Sequence, residues 1–523
     1  MKNIFLQTTE FFHEYITTQS RSLYFVDYKK YLDISREIKL EIIDLIENNN
    51  FNDVQKLMLI SSAHHIILDL YKIAKISIDL YQMQILSVSR VNNNKTISIY
   101  DLIENTKNIK KNDFFFSFGN NKIYSSKNQS LKDYVKYLTS KLNIYINKNG
   151  CFFLDNNSNL LQDYLTKSQV NPFLLRAESW YSKLLHNDDC GNISEEIRFR
   201  YFKLLNKVEL PKKIISRACD IIHYLIIPKL NYSRMYIQVC ERLKLSNLNH
   251  STLLGSSPQI IGKILNFFIK QNCSNKVIRF AHGGDRVFFS DYYWGISELP
   301  FVDQYYVHSS KEKKSLETKL QKKIIYKFSC TLNIKSNGSK KHREISNHFS
   351  KKNKNKKNKI LFVPGTFTND EHLALPEFKV NDTLIADYQY YLISAIKNLG
   401  YELSIKVHPG QINKNIFFKK FGCKLIFDPF DILVNNSKIL MFDFAGSAFF
   451  DSLASDKGIV LLDTNIRPHF KETFSDLRKR CSVVNCYFNS SNRIRFKEKD
   501  LSRSIEKAID FDIKKTGFLE KYF

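Results

Sequence analysis

Ile360-Leu-Phe-Val-Pro-Gly-Thr-Phe367, Leu403-Ser-Ile-Lys-Val-His-Pro-Gly410 and Ile439-Leu-Met-Phe-Asp-Phe-Ala-Gly-Ser447 decide the fold. Each opens on a short, largely apolar run and then passes into Pro, Gly or a small hydroxyl residue, as a buried strand does when it runs into a turn. Lys424-Leu-Ile-Phe427 and Ile459-Val-Leu-Leu462 repeat the pattern. The intervening segments are of helix length. Asp387–Leu399 has the helical period and stops at Gly400, the residue type that most easily takes a left-handed C-cap. Four or five strands alternating with helices describe an open parallel sheet, so residues 359–523 read as a Rossmann-like lobe.

Upstream the same rhythm returns. Gly255-Ser-Ser-Pro258 precedes the apolar-periodic Ile260–Ile269, with the proline where a helix start tolerates it. Lys276-Val-Ile-Arg-Phe280 is a strand-like run that empties into Ala281-His-Gly-Gly-Asp-Arg286. Gln304–His308 is a second strand, followed by Ser309-Ser310 and a basic, helix-like stretch. Residues 191–336 therefore read as a second Rossmann-like lobe, and residues 1–190 as a helix-rich N-terminal part of it that carries no chemical fingerprint. The expected class is α/β, with two Rossmann-like lobes. Between them, residues 337–358 read as a basic, exposed linker. Lys351–Lys359 has no apolar residue and no period.

The charge follows this division. The chain of 523 residues has 79 Lys and Arg against 52 Asp and Glu, a formal net charge of +27. Residues 311–359 hold 17 Lys and Arg and only 3 Glu, about half of that excess. Charge gathered in a structureless run suits solvation or an anionic membrane surface. No RRM, KH, helix-turn-helix or zinc signature supports nucleic acid as the partner. With 43% hydrophobic residues, wholesale disorder is excluded. No apolar run has signal-peptide or membrane-helix length, and the nine cysteines form no C-x-x-C pair, so a reduced, cytoplasmic protein is expected.

In an open parallel sheet, ligands bind at the carboxyl ends of the strands. That rule selects Pro364–Asn369, His408–Gly410 and Asp443–Ser447. His408, held by Pro409, can donate a hydrogen bond to a phosphate oxygen or a proton to a departing phosphate. Taken alone the pair also fits a surface histidine in a turn. Gly446 and Ser447 precede the helix-like Ala448–Ala454, where free N–H groups favour phosphate. Ser447 equally fits a plain N-cap, and the two roles are compatible. In the other lobe His282 has acid–base capacity, and Gly283 and Gly284 give a backbone that a substrate can approach. Arg286 can bind an acidic group, and Asp285 is a candidate base or structural partner. A loop histidine satisfied by backbone fits the triplet as well.

In this order, His-Gly after a strand, His-Pro after another, and Asp-aromatic-small-Ser after a third resemble GT-B glycosyltransferases that build bacterial surface polysaccharides. The pattern is similar to the CDP-glycerol glycerophosphotransferase family and to QHGG-type surface carbohydrate transferases. HP-motif transferases using CMP-sialic acid or CMP-Kdo share its last two parts. It spans Lys276–Asp463 and departs in two places. Asp443-Phe-Ala-Gly-Ser447 stands for Asp-Tyr-Ser-Ser, with one residue inserted and one hydroxyl left, and Ala281 replaces the usual Gln or Trp.

The resemblance implies a GT-B enzyme, cytoplasmic or peripheral on the inner face of the plasma membrane, without a cofactor. It would move a glycosyl or polyol-phosphate unit from a CMP- or CDP-linked donor to a glycan or lipid-linked acceptor. Thr366, His408, Pro409, Gly446 and Ser447 would bind the donor, with His408 assisting nucleotide departure. His282 and Asp285 would face the acceptor as catalytic groups, and Gly283, Gly284 and Arg286 would contact it. Asp443 would orient its loop. No Asp-x-Asp stands at a strand end, so His, Ser and a helix dipole, without metal, are expected to neutralise the phosphate. A GT-B-fold nucleotide-sugar epimerase would share the donor site and need no polymer acceptor. A nucleic-acid-binding protein is the alternative that the charge alone suggests.

Overall fold

The computed structural model describes residues 131–153 and 158–175, and most of 240–365 apart from 256–259, 291–293, 325–331 and 348–358. It also describes residues 382–408 and most of 416–523, with short pieces further upstream. After helix α1 (Leu131–Ile146), the first lobe is a six-stranded sheet of β1 (Cys151–Phe153), β2 (Phe173–Leu174), β3 (Thr252–Gly255), β4 (Lys276–Phe280), β5 (Gln304–Val307) and β6 (Asn333–Ser336). The order is β2-β1-β3-β4-β5-β6, and every pair is parallel. Its helices include α2 (Asn159–Ser168), α3 (Ile260–Lys270), α4 (Trp294–Glu298) and α5 (Ser310–Gln321). Ser309 starts α5 as its N-cap, accepting the Glu312 N–H. β1 and β2 lie in the N-terminal part, read as helix-rich with some strands.

The second sheet holds β7 (Lys359–Val363), β8 (Glu402–Lys406), β9 (Lys424–Ile426), β10 (Ile439–Phe442), β11 (Gly458–Asp463) and β12 (Ser482–Asn485). Its order β9-β8-β7-β10-β11-β12, parallel throughout, is that of a doubly wound dinucleotide-type sheet. The central strands β10 and β11 are buried at every position, hence their uninterrupted Ile, Leu, Val and Met. Edge strand β9 is half-buried or exposed. Gly400 takes φ +79°, closing the helix before β8 as its residue type requires.

Part of the stretch expected to be an open linker is folded. Residues 340–347 form helix α6, with His342 buried. His342 Nε2 lies 2.7 Å from Asp451 in the second lobe, and Lys341 Nζ lies 2.7 Å from the other oxygen of that carboxylate. The His342 ring packs on Phe450 and on Phe523. Two carboxylate contacts and two aromatic contacts outweigh the high charge of the segment. The Lys351–Asn358 run lies outside the described residues.

In the second lobe, helices α7 (Asp382–Asn398), α8 (Ser447–Leu453), α9 (Lys471–Arg480), α10 (Glu498–Ile509) and α11 (Phe518–Tyr522) follow in order. α11 packs back on α5 of the first lobe. First-lobe residues Val287, Phe288 and Phe289 belong to the second lobe's apolar core, with the Phe288 ring against Phe518, Tyr522 and Phe450. Backbone bonds stitch the same seam. Ser290 N–H donates to Pro468 O at 2.7 Å, Phe470 N–H donates to Phe288 O at 2.9 Å, and Phe289 bridges His469. Among the described residues no helix is long and apolar enough to cross a membrane.

Candidate functional site

Strand order in the second sheet reverses between β7 and β10, and that is where an open α/β sheet leaves a crevice. Val363 and Phe442 are paired, so Pro364-Gly365 and Asp443-Phe444 leave the sheet side by side. Asp443, 8% exposed, ties the two exits together. Its carboxylate accepts the Gly365 N–H on one oxygen and the Gln389 side-chain amide, at 2.8 Å, on the other. Burial pushes this carboxyl up to about 6, against the opposing pull of those two donors. Asp443 thus has the loop-orienting geometry that the sequence suggested.

His408 leaves β8, the next strand over, and is exposed on the same carboxyl edge. Lys406 fixes that exit from below. Its buried ammonium donates to Val407 O at 2.8 Å and to Phe427 O at 3.4 Å, joining the ends of β8 and β9. Burial lowers its pKa, with Asp428 opposing. Thr366 and Pro409 lie outside the described residues.

Gly446 is the N-cap of α8 and Ser447 its first residue. Ser447 is therefore not the cap, and no side chain caps this helix. The first-lobe loop meets α8 directly. A Cβ on Gly283 would lie 2.7 Å from the Ser447 hydroxyl oxygen, and one on Gly284 would lie 2.1 Å from the Phe450 ring. Close approach of the two lobes, and not an open backbone, is what excludes side chains at both glycines. Both are buried there, which corrects the expectation that they present backbone to an acceptor.

The residues that follow are likewise engaged. Asp285 accepts from Arg467 at 2.8 Å across the seam, and the same guanidinium donates to Ala445 O in the Ser447 loop. Arg467 lies over the Phe289 ring at 4.0 Å and near Phe444 at 5.5 Å. Asp285 is thus placed as a positioning residue. Arg286 pairs with Glu298 at 2.8 Å and lies over Trp294, within its own lobe. Buried Lys319 donates to the carbonyls of Arg286, Val287 and Phe289, and Thr473 donates to Val287 O at 2.6 Å. Within this rigid frame His282 is exposed, one residue beyond buried Ala281.

Sequence reasoning missed four features of this edge. Arg467 joins the lobes, Gln389 holds Asp443, and Phe444 is exposed between Gly365 and Arg467. The fourth is His469, whose Nε2 lies 2.6 Å from Asp463 at the end of β11 and whose ring stacks on Phe474 at 3.5 Å. Only Phe444 had a sequence signal, as the aromatic after Asp443. Together the edge carries an exposed imidazole, a hydroxyl and a fixed cation around the exits of neighbouring strands. Among the described residues no group of three or more His, Cys, Asp or Glu is arranged to hold a metal.

No protein-family model matches the chain. No curated protein matches it. Among solved structures it is similar to Os79 from O. sativa, determined with UDP and deoxynivalenol-3-glucoside. The two share 11% identity over 71% of this chain and 95% of that one, with a TM-score of 0.38. The two-lobe α/β assignment rests on the paired six-stranded parallel sheets themselves.

Proposed function

We propose that this protein is a GT-B-type transferase that moves a glycosyl or polyol-phosphate unit from a nucleotide-activated donor, CMP- or CDP-linked, to a cell-surface glycan or lipid-linked acceptor. The observation that carries the reading is the meeting of two sheet edges. The His282-Gly-Gly loop leaving β4 lies against Ser447, while His408 leaves β8 on the same edge of the second sheet. Motifs far apart in the chain converge where open parallel sheets bind ligands.

In this reading the donor phosphate lies over Gly446 and Ser447. The acceptor hydroxyl oxygen bonds to the donor carbon, or to phosphorus for a polyol phosphate. The bond to the nucleotide phosphate breaks, and its electron pair leaves with that phosphate. His408 hydrogen-bonds the departing oxygen and His282 takes the hydroxyl proton. Asp285 keeps Arg467 beside the phosphate loop.

A thermal-shift screen with CMP, CDP, UDP, GDP and ADP tests the donor site. One nucleotide raising Tm well above the rest names the donor class, and no shift from any overturns the reading. His408→Ala is expected to lower transfer about a hundredfold or more with Tm unchanged, since the side chain is exposed. Full activity in that variant would remove His408 from the mechanism.

A further inference from the structure

Helix α1 of the first lobe has two faces. Ser140 and Ile144 are buried, and Ile144 joins the apolar core that holds Phe152 and Leu160. On the opposite side Val135, Leu138, Leu142, Tyr145 and Ile146 stand 44% to 73% exposed. Helical spacing puts all five within an arc of about 100°, the width of stripe that an amphipathic helix normally turns inward. Single apolar side chains on a surface need no explanation, but a continuous stripe of them marks a contact surface.

The charge around the stripe selects what it contacts. Residues 131–148 hold four lysines and one aspartate, and exposed Lys141 stands beside the stripe on the helix. Lys148, just past the helix end, places its ammonium 5.9 Å from the Tyr145 ring centroid. Cations bordering an apolar stripe complement an anionic bilayer, which offers acyl chains to the stripe and phosphates to the lysines. Tyr145, the most exposed of the five, has the apolar ring and polar tip that suit the boundary between the two. A second copy of the chain fits less well. It would set these lysines against their own kind, and a stable dimer buries roughly 20–30 residues a side, well beyond one stripe.

We propose that the exposed face of α1 docks the first lobe on an anionic lipid bilayer, with the five apolar side chains entering the acyl boundary and Lys141 and Lys148 meeting lipid phosphates. This surface goes beyond the transferase reading and stands without it. Where that reading holds, the lobe with the His282 loop is the one kept at the membrane.

Flotation of the full chain with phosphatidylcholine vesicles containing about 30% phosphatidylglycerol tests the surface. The chain is expected to float with these vesicles and about tenfold less with phosphatidylcholine alone. No flotation with the anionic vesicles, or equal flotation with both, overturns the proposal. Leu138→Gln, Leu142→Gln and Tyr145→Gln combined are expected to weaken binding about tenfold or more with Tm unchanged, since all three side chains are exposed. Binding equal to the parent's places the anchor in another basic segment and refutes the proposal. A second measurement needs no variant. A photoactivated carbene reagent dissolved in the bilayer is expected to label the peptide of residues 131–148, and labelling confined to other peptides refutes the docking face. Sedimentation without vesicles is expected to show a monomer, and a dimer that the triple variant dissolves gives the stripe to a second copy instead. Flotation as expected with no nucleotide binding removes the transferase reading and leaves the docking surface standing, whereas nucleotide binding without flotation does the reverse.

Discussion

Arg480 and Lys263 are both buried cations on helices flanking a parallel sheet, and the two lobes treat them in opposite ways. Arg480, at the end of α9, donates to Leu453 O and Ser455 O at 2.8 Å, to Ser452 O at 3.2 Å and to Lys457 O at 3.3 Å. It gathers carbonyls from the end of α8 and the following turn before β11, of which Ser452 O also accepts from Ser455. Burial draws its pKa down to about 10, so it stays charged at neutral pH. Lys319, at the seam, is caged in the same manner by three carbonyls. Among the described residues no such cage of carbonyls surrounds Lys263. A cation enclosed by carbonyls is part of the scaffold.

The comparison can be broken experimentally. Arg480→Met takes a donor from four carbonyls inside the second lobe, of which Ser452 O keeps Ser455, and is expected to lower stability by about 3–5 kcal/mol in urea unfolding. A loss within experimental error would mean that carbonyl cages are dispensable here, and the contrast with Lys263 would fail. Lys319→Met is expected to cost about 2–3 kcal/mol, as three carbonyls each lose a donor while Val287 O keeps those from Ser315 and Thr473. It should also speed amide exchange at residues 286–290, and unchanged exchange there would deny Lys319 its part in the seam.

Asp443→Asn probes the comparison with the sign reversed, through a buried anion. The folded-state pKa of Asp443 is raised to about 6, so between pH 4 and 6 the folded chain holds a proton that the unfolded chain has lost. Stability therefore falls as pH rises through that window. Asparagine removes the effect, and its amide can donate to Gln389 Oε1, which has no hydrogen-bond partner, once the Gln389 amide turns over. A gain of about 1–2 kcal/mol at pH 7, together with loss of the pH 4–6 slope, is expected from unfolding curves at several pH values. A slope that persists in the variant would assign it to another group.

What was legible in the sequence follows from where each signal lives. β10 and β11 announce themselves because full burial demands an unbroken apolar run. β12, Ser-Val-Val-Asn, has only two apolar residues and sits at an edge, so nothing in its composition marks it. Asp443 and Ser447 were found because they follow a readable strand. Arg467 and His342 were not, because their meaning comes from contacts 182 and 109 residues away in the chain. A single arginine in a loop, or a histidine in a lysine-rich run, reads as solvated until tertiary packing turns it inward. The two glycines were noticed but misread, since a lack of side chain serves a tight contact as well as an open one.

The backbone bonds of Ser290 and Phe470 across the seam set how the molecule can breathe. Lobes joined by main-chain hydrogen bonds at one point cannot slide apart as free bodies. Parting them breaks these bonds together with the Asp285–Arg467 and His342–Asp451 contacts. These two amides therefore serve as a built-in clock. They sit outside every helix and strand of either sheet, where amides ordinarily exchange fast, and each deuteron that they take up records one parting of the lobes.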